Sequence, residues 1–378
     1  MESCILGIEN SLLHIFCFFT NPMGKHNVRK KERKRNMQQG KQSISFETKI
    51  YIKSAASIVG KKEGEGPLKS EFDQIVEDPF FAKDTWEEGE SRFVTEACLL
   101  AIEKAGLEKE QIRYAFAGDL LGQLIASSFG IKELELPFVG LYGACSNIGL
   151  ALSLGSIIIE GNHGEHVLCA ASSHFGSAEK QFRFPLEYGN QRPQSSTWTV
   201  TGCGAFVLSK NYNEKKSSQG IVIRGCTIGK IVDYDIKDAQ NMGAAMAPAG
   251  ACVITQFLDD FKLSVSDFDQ IITGDLGSIG KQILEKLLLN NQIDIKNKHM
   301  DCGMKIFDSE KQDTHSGGSG CACSAVVLAS YILRKLKTKE WKRILFVPTG
   351  AMFSPTSFNE GHPVPGIAHA LWIEVEEE

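Results

Sequence analysis

The sequence predicts an α/β protein made of two similar halves, and three observations carry that prediction. A four-part pattern occurs twice in the same order, apolar strands alternate with helical stretches, and the composition is that of a soluble globular chain. In the first copy, Ala117-Gly118-Asp119-Leu120-Leu121 precedes Gly143-Ala144-Cys145-Ser146, then His166 through Ser173, then Thr201-Gly202-Cys203-Gly204-Ala205. In the second, Thr273-Gly274-Asp275-Leu276-Gly277 precedes Gly320-Cys321-Ala322-Cys323-Ser324, then Arg343 through Gly350, then Gly366 through Ile373. The step from Cys145 to Cys323 is 178 positions and that from Ser172 to Thr349 is 177, so the two copies keep register. A duplication of this length predicts two supersecondary units facing each other across a cleft.

Each element follows from local pattern. Helical spacing of Trp86, Phe93, Ala97, Leu100 and Ala101 predicts a helix over 70–107, with Gly106 as its stop. Short apolar runs predict strands at 112–117, 136–141, 166–171 and 204–208, with a helix over 145–160 after the Gly143-Ala144 turn. The second half repeats this with strands at 270–273, 344–347 and 370–375 and helices over 281–289 and 317–336. Strands apolar throughout predict sheets covered on both faces. The expected organisation is a leader over 1–36, a first half over 37–215 and a second over 216–378.

Composition narrows the function classes. With 378 residues, 42% hydrophobic and 23% charged, the chain is long enough for a large buried core. A net charge of −5 argues against a nucleic-acid surface, since basic residues cluster only at 25–35. The eleven cysteines lie singly in apolar stretches (Cys98, Cys169, Cys203, Cys226, Cys252) and read as buried thiols. No CxxC pair occurs, so neither a disulfide framework nor a zinc site is expected, and no metal or cofactor is called for. The apolar run 12–19 is shorter than a membrane span, and its flanks are wrong for a signal peptide. Translation is expected to start at Met37, with a basic membrane-surface arm as the rival reading of 1–36.

Cys145 has the position of a nucleophile or an anion site, after a tight turn and at the first turn of a helix. A small buried residue is the plain alternative. A thiol nucleophile needs a base, and the available imidazoles are His174, His299, His315 and His369. The Gly317-Gly318-Ser319-Gly320 entry to the second helix suits anion binding or close helix packing. Arg183 and Arg192, on a polar and aromatic loop, could fork a carboxylate or be solvated charges.

The Gly-Ala-Cys-Ser turn within duplicated halves resembles the thiolase and ketoacyl-synthase fold. The fuller run resembles the stage V sporulation protein AD family of endospore-forming Firmicutes. That run comprises Gly118-Asp119-Leu120-Leu121, Tyr142 to Ser146, Ser172-Ser173-His174, Gln181-Phe182-Arg183-Phe184-Pro185, Glu187-Tyr188-Gly189, Asp301-Cys302-Gly303, Gly317 to Ser324 and Thr349-Gly350-Ala351, within about 40–375. The resemblance implies a thiolase-like, layered αβαβα fold and a role in binding dipicolinic acid or its calcium chelate for uptake into the developing spore. It also implies peripheral placement on the forespore inner membrane through membrane proteins of the same operon, and a fold that commonly forms homodimers. Thiolases carry a His in a Gly-His-Pro turn where this chain has Gly320-Cys321-Ala322-Cys323, and a Cys-x-Gly-Gly-Gly loop where it has Pro348 to Met352. Acyl transfer through Cys145 is therefore the alternative function, and a pure assembly scaffold the third. The expected ligand contacts are Cys145, Ser146, His174, Arg183, Arg192, Gly318, Cys323, Ser324 and Gly350, with helix N-termini at Cys145 and Cys323 meeting one carboxylate and an arginine the other.

Overall fold

A computed structural model describes residues 37–182, 192–212 and 220–376. The leader 1–36 and the boundary at 215/216 lie outside the described residues. Ten strands form the spine: β1 (Ser43–Gly60), β2 (Tyr114–Gly118), β3 (Phe138–Gly140), β4 (His166–Ser173), β5 (Gly202–Ser209), β6 (Ile221–Thr227), β7 (Gln270–Thr273), β8 (His299–Asp301), β9 (Arg343–Val347) and β10 (Ala370–Val375). Their order across the sheet is β3-β2-β4-β5-β1-β6-β10-β9-β7-β8. Read outward from the central β1–β6 pair, the two sides match. Each runs through two antiparallel neighbours and ends in two parallel pairs. The duplication seen in the motifs is thus a duplication of topology.

The alternation of side chains explains the layers. Along β4, Val167, Cys169 and Ala171 join the central core, while Leu168 and Ala170 join an outer one. Along β9, Ile344 and Phe346 face the centre, while Leu345 and Val347 face the other outer core. Both faces are dry, as the continuous apolar runs require. Two helices fill the centre: α3 (Asn147–Glu160) and α8 (Cys321–Val327), the latter continuing through a π turn to Lys337. Outside lie α1 (Trp86–Ala105) and α2 (Ile125–Lys132) on one sheet face, and α5 (Met242–Phe261) and α6 (Gly277–Asn290) on the other. The shorter α4 (Phe175–Phe182) and α7 (Cys302–Ile306) flank the centre. The two sides of this continuous sheet close over the central helices, so the layers run helix, sheet side, helix, sheet side, helix.

Several expectations are corrected. The helix expected over 70–107 begins only at Trp86, where Thr85 and Glu88 form a capping box, and it ends at Gly106 with φ 67°. Before it, Gln74–Val76 pairs with β1, and Phe81 and Ala82 take left-handed backbone. The sequence reading missed β1, β6, α5 and β8. In β1, buried Ser54 and Ser57 break the apolar run, and α5 has Pro248 inside it. Cys252 is exposed rather than buried, whereas Cys98, Cys169, Cys203 and Cys226 are buried.

Candidate functional site

The chain enters α3 through a turn that only a few residue choices allow. Ala144 sits at φ 49°, the left-handed region, so the turn stores strain that its neighbours must hold. Ser146 Oγ donates to Gly143 O at 2.6 Å, Gly143 N–H donates to Asn147 Oδ1 at 2.5 Å, and Asn147 Nδ2 donates to Asp119 O at 3.2 Å. Gly350 presses on the turn from the other half. A Cβ there would lie 2.5 Å from Gly143 O and 3.1 Å from Cys145 N, so glycine is required.

Cys145 then faces a narrow cleft that encloses about 40 Å³ and opens to solvent. Leu120, Tyr142, Phe182, Met242 and Phe353 supply apolar walls, and Thr199 and Ser319 supply hydroxyls. Among the described residues this lining holds no Lys, Arg or His. Behind Ser319 lies Asp275, fully buried at the end of β7. Ser319 Oγ donates to Asp275 Oδ2 at 2.8 Å, Gly320 N–H to the same oxygen at 3.1 Å, and Thr349 Oγ1 to Oδ1 at 3.0 Å. Burial pushes the Asp275 carboxyl up to about 6. The Cys145 sulfur lies 3.9 Å from Ser319 Oγ. Burial, and then the negative charge of Asp275, hold its thiol well above the ordinary cysteine range. A nucleophilic cysteine needs the opposite surroundings.

The structure gathers some expected residues and disperses others. Cys145 lines the cleft, while Ser146 and Gly350 shape the turn behind it. Gly318 packs against Ile306 and Phe307, where a Cβ would come within 2.7 Å. Cys323 is fully buried, with its sulfur 3.7 Å from Gly274 O, and Ser324 Oγ is buried without a partner. His174 belongs to a different cavity. Gly176 N–H donates to its Nδ1 at 3.0 Å, so Nε2 carries the proton and donates to Pro79 O at 2.7 Å. Arg192 donates to Asp313 at 2.9 Å and lies over the Trp198 ring. Arg183 lies outside the described residues. His369 is buried, and burial pulls its imidazole down to about 4. The N-terminus of α8 meets partners within the chain, since Gly320 N–H donates to Asp275 and Ala322 N–H to Ser173 Oγ at 3.1 Å.

Sequence reasoning missed Asp275, Ser319, Thr199 and Tyr142 as site residues. A signal existed for two of them. Asp275 repeats Asp119, and Ser319 sits in the glycine-rich turn.

Comparisons with known proteins agree with this architecture. The family model for stage V sporulation protein AD matches residues 40–374. The stage V sporulation protein AD of Bacillus subtilis (strain 168) is 38% identical over 335 residues, covering 89% of this chain and 97% of that protein. Among solved structures, cerulenin-bound OleA from Xanthomonas campestris superposes with a TM-score of 0.58 at 13% identity, covering 88% of this chain and 100% of that one. The Acat5 thiolase of Ascaris suum in complex with coenzyme A gives 0.54 at 12% identity, covering 87% and 100%. These two show the fold alone, which is thiolase-like.

Proposed function

The chain belongs to the stage V sporulation protein AD family, and from that premise we propose that it binds dipicolinic acid, or its calcium chelate, in the cleft at Cys145 and supports uptake of that ligand into the developing spore. The observation that carries this reading is the cleft itself: apolar and aromatic walls, two hydroxyls and a thiol kept protonated. Such a cleft can bind without reacting. Its described lining offers no cation, while Asp275 puts a carboxylate behind the hydroxyls. A dianion would be poorly matched there, whereas a calcium chelate brings its own countercharge.

Among the described residues no helix is long and apolar enough to cross a membrane. Placement at the forespore inner membrane would therefore rest on protein partners, and the membrane proteins made alongside it are the proposed ones.

Titration calorimetry with dipicolinate, with and without equimolar calcium, tests the reading. Saturable heat is expected, and it should disappear in Cys145→Trp. No heat under either condition would overturn it. The alternative, acyl transfer through Cys145, draws on the thiolase-like fold and predicts a mass increase on Cys145 after incubation with acyl-CoA. A thiol stabilised in its protonated form predicts none.

A further inference from the structure

A second cavity, of about 470 Å³, opens on the other side of the strand Trp198–Thr199. Thr199 lines the Cys145 cleft, whereas Trp198 lines this one. Trp86, Phe175 and Trp198 make much of its wall, and the two rings Phe175 and Trp198 stack at 3.8 Å. Its floor is built around a carboxylate. Glu63 follows the end of β1 and is 1% exposed. Its Oε1 accepts the Thr201 N–H at 3.0 Å, while its Oε2 is buried with no hydrogen-bond partner. Glycine at position 60 leaves room for that oxygen, because a Cβ there would lie 2.9 Å from it.

An orphaned carboxylate oxygen in an apolar cavity is costly unless something donates to it. Burial raises the Glu63 carboxyl to about 7, so above that pH this oxygen carries charge and calls for a donor. The lining holds Lys61 and Lys62 against Glu63, Glu65 and Glu77, and His174 is neutral in the tautomer its bonds impose. Lys61 is already paired with Glu77 at 3.2 Å, and Lys62 donates to Gln312 O at 2.7 Å and lies over Trp198. Neither lysine is placed by these contacts to serve Glu63 Oε2. Aromatic walls and a buried acceptor without a donor together define a recognisable chemistry.

We propose that this cavity is a second ligand site, selective for a small organic amine whose apolar body packs among Trp86, Phe175 and Trp198 and whose ammonium donates to Glu63 Oε2. The site is separate from the Cys145 cleft and stands whether or not that cleft takes dipicolinate.

Benzylamine and benzoate, which share a ring and differ in charge, test it. Two of the four tryptophans line the cavity, so intrinsic fluorescence reports occupancy. Benzylamine is expected to give a saturable change, with benzoate at least tenfold weaker. Above pH 8, where Glu63 is ionised, Glu63→Gln keeps the acceptor for Thr201 and removes the charge, so it should weaken benzylamine at least tenfold without weakening benzoate. Equal binding of the two probes, or unchanged benzylamine affinity in Glu63→Gln, would overturn the assignment. Should Glu63→Gln fail to fold, crystals of the unaltered chain soaked in benzylamine decide the matter. Density with its nitrogen beside Glu63 Oε2 supports the site, and an empty cavity refutes it.

Discussion

The entries to the two central helices began as copies of one turn and now behave differently. Their cysteines are 178 positions apart, but their helices start at Asn147 and Cys321, 174 apart. The four-residue difference is about one helical turn. Cys145 therefore precedes its helix and faces the cleft, while Cys323 is the third residue of its helix and points into the core. By helix register the partner of Cys145 is Ser319, and these two residues meet across the centre at 3.9 Å. Asn147 and Cys321, also 174 apart, meet there at 3.3 Å.

The aspartates diverge in the same way. Asp119 accepts the N–H groups of Leu121 and Ser127, closing its own loop. In the second half Asp301 takes that duty, accepting Leu276 N–H at 2.9 Å and Gly277 N–H at 3.1 Å. Asp275 is thereby free to hold Ser319, Gly320 and Thr349 beneath the cleft. A duplicated scaffold becomes a one-sided site when a neighbouring residue takes over a structural task.

The same substitution at the two cysteines should give the largest contrast. Cys145→Trp fills open space, so the expected outcome is a folded protein without dipicolinate binding, checked by circular dichroism and calorimetry. Cys323→Trp has no space to fill and should fail to give soluble folded protein. Matching behaviour of the two variants would break the comparison.

Titration of Asp275 should come next in size. Its folded pKa is raised from about 3.9 in the unfolded chain to about 6, so protonation favours the folded state. The stability it contributes is full below about pH 4 and is lost as pH rises towards 6, by up to about 3 kcal/mol. Asp275→Asn removes this dependence. The difference between wild-type and variant unfolding free energies, measured by urea melts from pH 4 to 7, should drift steadily in favour of the variant. A constant difference would show that Asp275 ionises freely.

Gly350→Ala places a methyl against Gly143 O and should cost about 1–3 kcal/mol in the same melts, while weakening dipicolinate binding. An unchanged melt would mean the turn yields without strain.

The smallest effect concerns the thiol. Burial and then the charge of Asp275 hold Cys145 protonated, so Asp275→Asn should quicken alkylation by iodoacetamide at pH 8. Asp119→Asn should leave Cys145 alkylation unchanged. Equal rates in both variants would remove Asp275 from its assigned role.

The strands that flank the motifs were legible because a run buried on both faces has to be apolar throughout, as in β4, β7 and β9. The central pair β1 and β6 was not, although it joins the halves. In β1, Ser54 Oγ donates to Ala101 O at 2.6 Å and Ser57 is paired with Asp73, so these polar side chains are satisfied by residues far along the chain. The position of Cys145 was legible from its turn. The dispersal of His174 and Arg192 was not, because the strand at Trp198 separates two cavities whose lining residues interleave in sequence.

By itself the sequence determined the duplication, the alternation of helix and strand, the tight turn before Cys145 and the family. Those depend on local pattern and on glycines that only one backbone geometry permits. Tertiary structure alone decided that Ser319 rather than Cys323 opposes Cys145, and that burial and then Asp275 keep the thiol protonated. It also left Glu63 with an unanswered oxygen. The reason is physical: the charge state of a buried group is set by burial and by neighbours distant in sequence, and no local pattern records either.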